Sequence, residues 1–133
     1  MLRFDEANEL LMEEFEEMKT AFQDDVSGGY GGYEGIQHCF FSENFVPYIV
    51  KRLNEGKDDE LKSIFSFIEK LFREGDDDLA ELAGVSVVEP LYYEPNYEDH
   101  KDKIFALSGE LTRKSFEDMV DESGEYEKEQ ITA

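Results

Sequence analysis

The segment DDELKSIFSFIEKLFREG, residues 58–75, decides the fold class because every local signal in it favours an α-helix. Acidic residues at 58–60 stand where the positive end of a helix begins, and Lys70 and Arg73 stand near its negative end, just before Gly75. The apolar residues recur every three or four positions and share one face: Leu61, Ile64, Phe65, Ile68, Leu71 and Phe72. The segment predicts an amphipathic helix whose apolar face belongs to a core.

Residues 4–23 carry a second amphipathic pattern. Their apolar side chains follow a spacing that marks one face of a single α-helix: Ala7, Leu11, Phe15, Met18 and Phe22. Ser27 and Gly28 mark the end of this helix. Its opposite face is acidic, with Glu6, Glu9, Glu13 and either Glu16 or Glu17.

A helix with an internal proline is predicted between these two segments. Its apolar positions are Ile36, Phe40, Phe45, Ile49, Val50 and Leu53. Pro47 fits either the first turn of a helix that starts near Asn44 or a kink in a longer helix that starts near Ile36. Gly56 is predicted to end this helix.

The chain after residue 75 predicts further short helices. The three aspartates at 76–78 are predicted to cap a fourth helix. Residues 85–88 leave helix and strand open, because valine favours strands. Residues 91–94, between two prolines, predict a connecting loop. From residue 99 onward the apolar pattern predicts one or two helices, with a break near Gly109.

These elements together predict an all-α fold. We expect a single domain of five to six short helices over residues 1–122, arranged as a bundle or as an α-helical array. Residues 123–133 have no apolar period and are predicted to form a frayed acidic tail. A hydrophobic content of 40%, with eleven Phe and seven Tyr, supplies enough material for a core.

The charge balance points to a protein partner. The 34 acidic residues outnumber the 13 basic ones, which gives a net charge of −21. Such a surface repels nucleic acid and anionic membranes, and it speeds association with basic partners. We therefore expect no nucleic-acid or membrane binding, while a role of the charge in solubility alone, or a halophilic origin, stays open.

Cysteine content indicates the compartment. A single cysteine cannot form an internal disulfide bond, and the sequence shows no secretory leader pattern. The longest apolar runs are too short to span a bilayer. We therefore expect a cytoplasmic protein without a zinc site of the usual Cys and His spacing.

The glycine-rich stretch SGGYGGYEGIQHCFF, residues 27–41, does not match a phosphate-binding loop. A Walker loop requires a lysine after its last glycine, and no basic residue other than His38 occurs between Lys19 and Lys51. The dinucleotide pattern fails because its third glycine, Gly35, comes one residue late. The glycines predict a turn-forming loop instead.

His38 and Cys39 suggest a catalytic pair, yet neighbours along a helix point about 100° apart. Cys39 lies among apolar residues and is predicted to fill a small space in the core. Residues from Asp76 match the start of a calcium loop, but Glu81 and Val87 replace the required glycine and glutamate. No catalytic residue, metal site or cofactor is predicted.

The acidic helix face and the glycine loop predict a partner-binding surface. Tyrosines on a glycine-flanked loop make good interface anchors, because they offer a large amphipathic area at low cost in rotamer entropy. Carboxylates beside them would complement a basic partner. The predicted partner-binding residues are Glu13, Glu17, Asp24, Asp25, Tyr30, Tyr33 and Glu34.

From His38 onward the chain resembles a family of small helical bacterial proteins. The shared features are His38 with the aromatic Phe40 after it, Pro47 in an aliphatic segment, the run 64–69, the acidic turn 76–78 and the segment 85–91. Members of that kind resemble immunity proteins of polymorphic or contact-dependent bacterial toxin systems, which bind a toxin domain and are not enzymes. The chain departs from this pattern in having no tryptophan near the histidine and in its longer acidic tail.

The resemblance implies an immunity protein that neutralises a cognate toxin. Nuclease toxins bind phosphates and so carry basic sites, which an acidic protein can occupy by charge complementarity. The alternative is an acidic adaptor or nucleic-acid mimic that occupies the basic groove of a host protein. A third hypothesis, an enzyme with carboxylates around a divalent metal, is the least favoured of the three.

Overall fold

The computed structural model describes residues 1–27 and 36–120, apart from the side chains of residues 24–27. In these ranges the chain forms a single all-α domain, as predicted, with seven helices rather than five to six. A 3₁₀ turn, Phe4–Glu6, precedes α1 (Ala7–Glu14) and α2 (Glu16–Ser27). Helix α3 runs through Gln37–Phe40, Phe41–Phe45 and Val46–Glu55, and α4 is Asp58–Glu74. Helix α5 runs through Asp77–Ala83, Gly84–Val88 and Glu89–Tyr92, α6 is Tyr97–Leu107, and α7 covers residues 110–120.

The additional helix arises because the predicted N-terminal helix is interrupted at Phe15. This residue is extended, with φ −129° and ψ 109°, and it separates α1 from α2. Its buried ring packs edge-on against Phe67, with the ring centres 5.5 Å apart, and lies equally close to Phe45. The prediction of one helix over this region was wrong because the three-and-four spacing of apolar residues continues unbroken across the kink.

Of the two alternatives for Pro47, the structure has the longer helix that starts near Ile36. The helix begins at Gln37 and contains a π-helical turn at Phe41–Phe45, in which the Val46 N–H donates to the carbonyl of Phe41. Pro47 then stands in the first turn of the following α-helical segment, where its missing N–H is tolerated. Gly56 ends the helix as predicted, with the left-handed φ of 66° that favours glycine.

Helix α4 is confirmed and forms the centre of the domain. It contacts α3, α5 and α6, and Phe67 extends these contacts to the junction of α1 and α2. Six of its side chains are buried: Leu61, Ile64, Phe65, Phe67, Ile68 and Leu71. Phe72 is only half-buried, whereas Phe67, outside the predicted apolar face, is buried because it meets Phe15.

Asp76 caps α5 and also fixes the N-terminal segment. Its carboxylate accepts hydrogen bonds from the Leu79 N–H at 2.8 Å and from the Phe4 N–H at 3.1 Å. Two backbone bonds join Leu2 to the same turn, from the Leu2 N–H to Glu74 and from the Asp76 N–H to Leu2. The predicted capping by the aspartate run is therefore confirmed.

Residues 85–88 are helical, so the strand alternative was wrong. They lie in a second π-helical turn, Gly84–Val88, and Ser86, Val87 and Val88 are buried. Tertiary burial here outweighs the strand preference of valine. The helix continues through Pro90 to Tyr92, and the loop predicted for 91–94 therefore begins only at Tyr93.

The last two helices are separated where the sequence predicted a break. Ser108 and Gly109 lie between α6 and α7. Glu69 reaches from α4 to the start of α7, where its carboxylate accepts bonds from Leu111 and Thr112. The predicted domain end at 122 and the tail at 123–133 lie outside the described residues.

Candidate partner-binding surface

An acidic concavity lies where α1 and α2 meet. It has a volume of about 560 Å³ and is lined by Glu9, Met12, Glu13, Glu14, Glu16 and Lys19, which we call the acidic groove. The groove lies at the kink because the extended Phe15 turns its own ring into the core. The residues on either side of Phe15 therefore remain at the surface.

The carboxylates of the acidic groove lie at the surface of the domain. Its four glutamates are exposed, and none forms an ion pair with another described residue. Among the described residues of the lining, Lys19 is the single basic side chain, and Met12 contributes a half-buried apolar side chain. The groove therefore combines negative potential with a small adaptable apolar contact.

Glu13 is the predicted partner-binding residue that lies in the groove, whereas Glu17 serves a different role. Glu17 does not line the groove but forms an ion pair with Arg52 of α3. Arg52 also donates to Glu60 of α4 at 3.2 Å, and its guanidinium lies 4.2 Å from the centre of the Tyr48 ring. This cluster joins three helices, so Glu17 has a structural bond of its own.

Arg52 stays charged although its side chain is only 8% exposed. Burial would lower the pKa of its guanidinium, but hydrogen bonds to Glu17 and Glu60 outweigh that effect and raise the pKa. A buried cation with two carboxylate partners is costly to leave unpaired. The loss of Glu17 therefore affects helix packing as well as surface charge.

The other predicted partner-binding residues cannot be placed relative to the groove. Asp24 and Asp25 lie in the last turn of α2, but their side chains are outside the description. Tyr30, Tyr33 and Glu34 lie outside the described residues altogether. Their participation in binding stays a prediction.

The sequence contained a signal for the groove residues that were not selected. Glu9, Glu13 and Glu16 are spaced four and three apart, the spacing that places side chains on one helical face. All three belong to the acidic face of the predicted N-terminal helix, and Glu13 alone of the three is among the predicted partner-binding residues. Nothing in the pattern reveals the kink at Phe15, which gives the stripe its concave shape.

His38 and Ser86 connect α3 to α5. The Nδ1 atom of His38 lies 2.6 Å from the Ser86 hydroxyl oxygen, and the imidazole packs against the Phe4 ring. Ser86 is 4% exposed, so the contact lies largely beneath the surface. The arrangement is a structural link between two helices.

Cys39 is exposed, and its prediction as a core residue was wrong. The two residues that follow it, Phe40 and Phe41, fill the core instead and are fully buried. Neighbouring helical positions face different directions, so burial of these two rings leaves Cys39 on the solvent side.

Within residues 1–27 and 36–120, no group of three or more His, Cys, Asp or Glu side chains is arranged to hold a metal ion. Over the same part of the chain, no helix combines the length and the apolar character needed to cross a membrane.

A family model covers most of the chain. Residues 8–124 match the model of a family described as Domain of unknown function (DUF7674). No curated protein and no solved structure matches the chain.

Proposed function

Because the chain belongs to the DUF7674 family of domains of unknown function, its role must be inferred from its surface, and we propose that it is an immunity protein. In this proposal it binds and neutralises a cognate bacterial toxin with a basic, nuclease-type active site. The acidic groove is the observation that carries the proposal.

The shape and charge of the groove suit a basic protein surface. Its carboxylates stand on two helices that meet at a kink, so a convex basic patch can be approached from both sides. The net charge of −21 adds a long-range attraction that speeds encounter with such a partner. A nuclease must hold phosphates with basic side chains, and the glutamates of the groove can take the place of those phosphates.

The proposal is tested with the gene encoded beside the one for this protein. That neighbour is expressed alone and together with this protein, and growth, co-purification and nuclease activity are measured. We expect the neighbour to be toxic alone, harmless in co-expression and inhibited in a one-to-one complex. A neighbour that is harmless alone and does not co-purify would exclude the immunity role.

Charge reversal tests the place of contact. We expect Glu9→Lys and Glu13→Lys to lower the rate constant for association with the toxin about tenfold at low salt. The dissociation rate constant should change much less, because exposed charges act mainly on the encounter of the two proteins. Glu81→Lys is the matched control, since Glu81 is an exposed glutamate on α5 outside the groove. An equal effect of the control would show that the toxin does not contact the groove.

The same experiment separates the alternative function. An acidic adaptor or nucleic-acid mimic would bind several unrelated DNA-binding proteins through the groove, in competition with DNA. Binding of several such proteins with similar affinity, and no toxicity of the neighbour, would favour that role.

A further inference from the structure

A second concavity lies between α3 and the connection from α5 to α6. It has a volume of about 450 Å³ and is lined by Pro47, Val50, Lys51, Asn54, Glu55 and Glu94, which we call the α3 cleft. Its lining shares no residue with the acidic groove. Two elements distant in the chain therefore contribute to a separate surface.

The α3 cleft combines an apolar surface with free carboxylates. Pro47 and Val50 supply its apolar side chains. Glu55 comes from the end of α3 and Glu94 from the connection, and neither forms an ion pair with another described residue. Lys51 is the one basic residue that the described part of the chain contributes to the lining, so two carboxylates face one ammonium group.

A small recess adjoins the cleft and limits what can enter it. The recess has a volume of about 10 Å³ and shares Val50 and Glu94 with the cleft. Its other lining residues are Leu53, Leu91, Asn96, Tyr97, His100 and Ile104. That volume accommodates about one water molecule, so a leucine or aromatic side chain of a partner has no hole to fill. An occupant must lie along the cleft rather than insert into it.

We infer that the α3 cleft receives an arginine side chain of a basic partner protein. The aliphatic stem of an arginine can lie on Pro47 and Val50, while its planar guanidinium donates to Glu55 or Glu94. A second copy of this chain is disfavoured as the occupant, because two molecules of charge −21 repel each other. This inference extends the proposed function by naming a side chain through which a basic partner is held.

The inference is tested on the whole protein with N-acetyl-arginine amide as the probe. The ¹H–¹⁵N spectrum of the labelled protein is followed during the titration. We expect saturating shifts of the Val50, Asn54, Glu55 and Glu94 backbone amides, with a Kd of about 1–10 mM. The neutral isostere N-acetyl-citrulline amide is expected to bind at least about fivefold more weakly, because it keeps the shape but not the charge.

Variants locate the site. We expect Glu55→Gln combined with Glu94→Gln to weaken arginine binding about five- to tenfold, in keeping with two exposed charge contacts. The control Glu81→Gln makes a single charge change elsewhere and should leave binding within about twofold. Equal binding of citrulline, shifts centred outside the cleft, or an equal effect of the control would overturn the inference.

The outcome is independent of the toxin experiment. Arginine binding in the cleft, together with a neighbouring gene product that is harmless alone and does not co-purify, would refute the immunity role but retain the cleft. A toxin complex that forms while the probe fails to bind would retain the role and refute the cleft.

Discussion

Glu69 of α4 holds the start of α7, and its replacement by alanine tests how the domain is assembled. Its carboxylate accepts hydrogen bonds from the Leu111 N–H at 3.3 Å, the Thr112 N–H at 2.9 Å and the Thr112 hydroxyl at 2.8 Å. Arg73 donates a fourth bond at 2.9 Å. Thr112 is fully buried, so in the folded protein its donors depend on the Glu69 carboxylate rather than on water.

The expected cost follows from these contacts. Removal of a helix-capping acceptor costs about 1 kcal/mol, and leaving buried donors unpaired costs about 1–2 kcal/mol more. We expect Glu69→Ala to lower the free energy of unfolding by about 2–3 kcal/mol. With a urea dependence of about 2 kcal/mol per molar, the unfolding midpoint should fall by roughly 1–1.5 M.

The measurement is urea unfolding at pH 7, followed by circular dichroism at 222 nm. Glu74→Ala is the matched control, because Glu74 is an exposed glutamate at the end of the same helix. A negative charge at that end is unfavourable, so the control should be neutral or slightly stabilising. If the two variants differ by less than about 0.5 kcal/mol, Glu69 does not anchor α7 in the way the contacts indicate.

The charge of Glu69 predicts a pH dependence. Burial would raise the pKa of this carboxyl, but hydrogen bonds from Thr112, Arg73 and Leu111 outweigh burial and hold it below its ordinary value of 4.5. The unfolded state therefore binds the proton more readily, and stability from this group rises with pH. The free energy of unfolding of the wild type should exceed that of Glu69→Gln most at pH 6–7. This difference should shrink as the pH falls below about 4.5. A difference that does not change with pH would show that the carboxylate charge is not involved.

Three further substitutions have definite expected outcomes in the same unfolding assay. A Cβ atom on Gly109 would overlap the side chain of Glu69, so Gly109→Ala should displace this cap and cost about 1–3 kcal/mol. A neutral effect would show that the cap can move freely. The buried Tyr97 hydroxyl has no hydrogen-bond partner among the described residues, and burial raises its pKa to about 12. Tyr97→Phe should therefore leave the free energy of unfolding unchanged or raise it by up to about 1 kcal/mol. A decrease of more than about 1 kcal/mol would reveal a hydrogen bond to this hydroxyl. Arg52→Ala should lower the free energy of unfolding by about 2 kcal/mol, because α2, α3 and α4 lose their shared ion pairs. Lys51→Ala is the control and should have little effect, because Lys51 is exposed.

The elements with self-contained signals were predictable from the sequence. Helix α4 has its apolar face, its acidic start and its terminal glycine within 18 residues, so the local sequence pattern was sufficient to predict it. Asp76 as a cap and the break near Gly109 were predictable for the same reason. Each depends on residues within a few positions of itself.

The features that were missed depend on contacts between distant residues. The kink at Phe15 places its ring against Phe67, which is 52 positions away in the chain and cannot be identified from a local pattern. Burial against other helices makes residues 85–88 helical, and the ion pair with Arg52 gives Glu17 a structural role. The acidic residues of the groove were visible as a stripe, but its concave shape follows from the kink.

The two π-helical turns have a consequence for the length of the chain. Each holds one residue more than an α-helical turn over the same rise, and each is followed two residues later by a proline. Deleting one residue from Phe41–Phe45 would restore a continuous α-helix and rotate the preceding Gln37–Phe40 by about 100° about the helix axis. That rotation would carry His38 away from Ser86 and turn Phe40 out of the core, although no side chain in either contact had been substituted. At these two turns the number of residues is therefore expected to be constrained as strictly as the identity of the buried side chains.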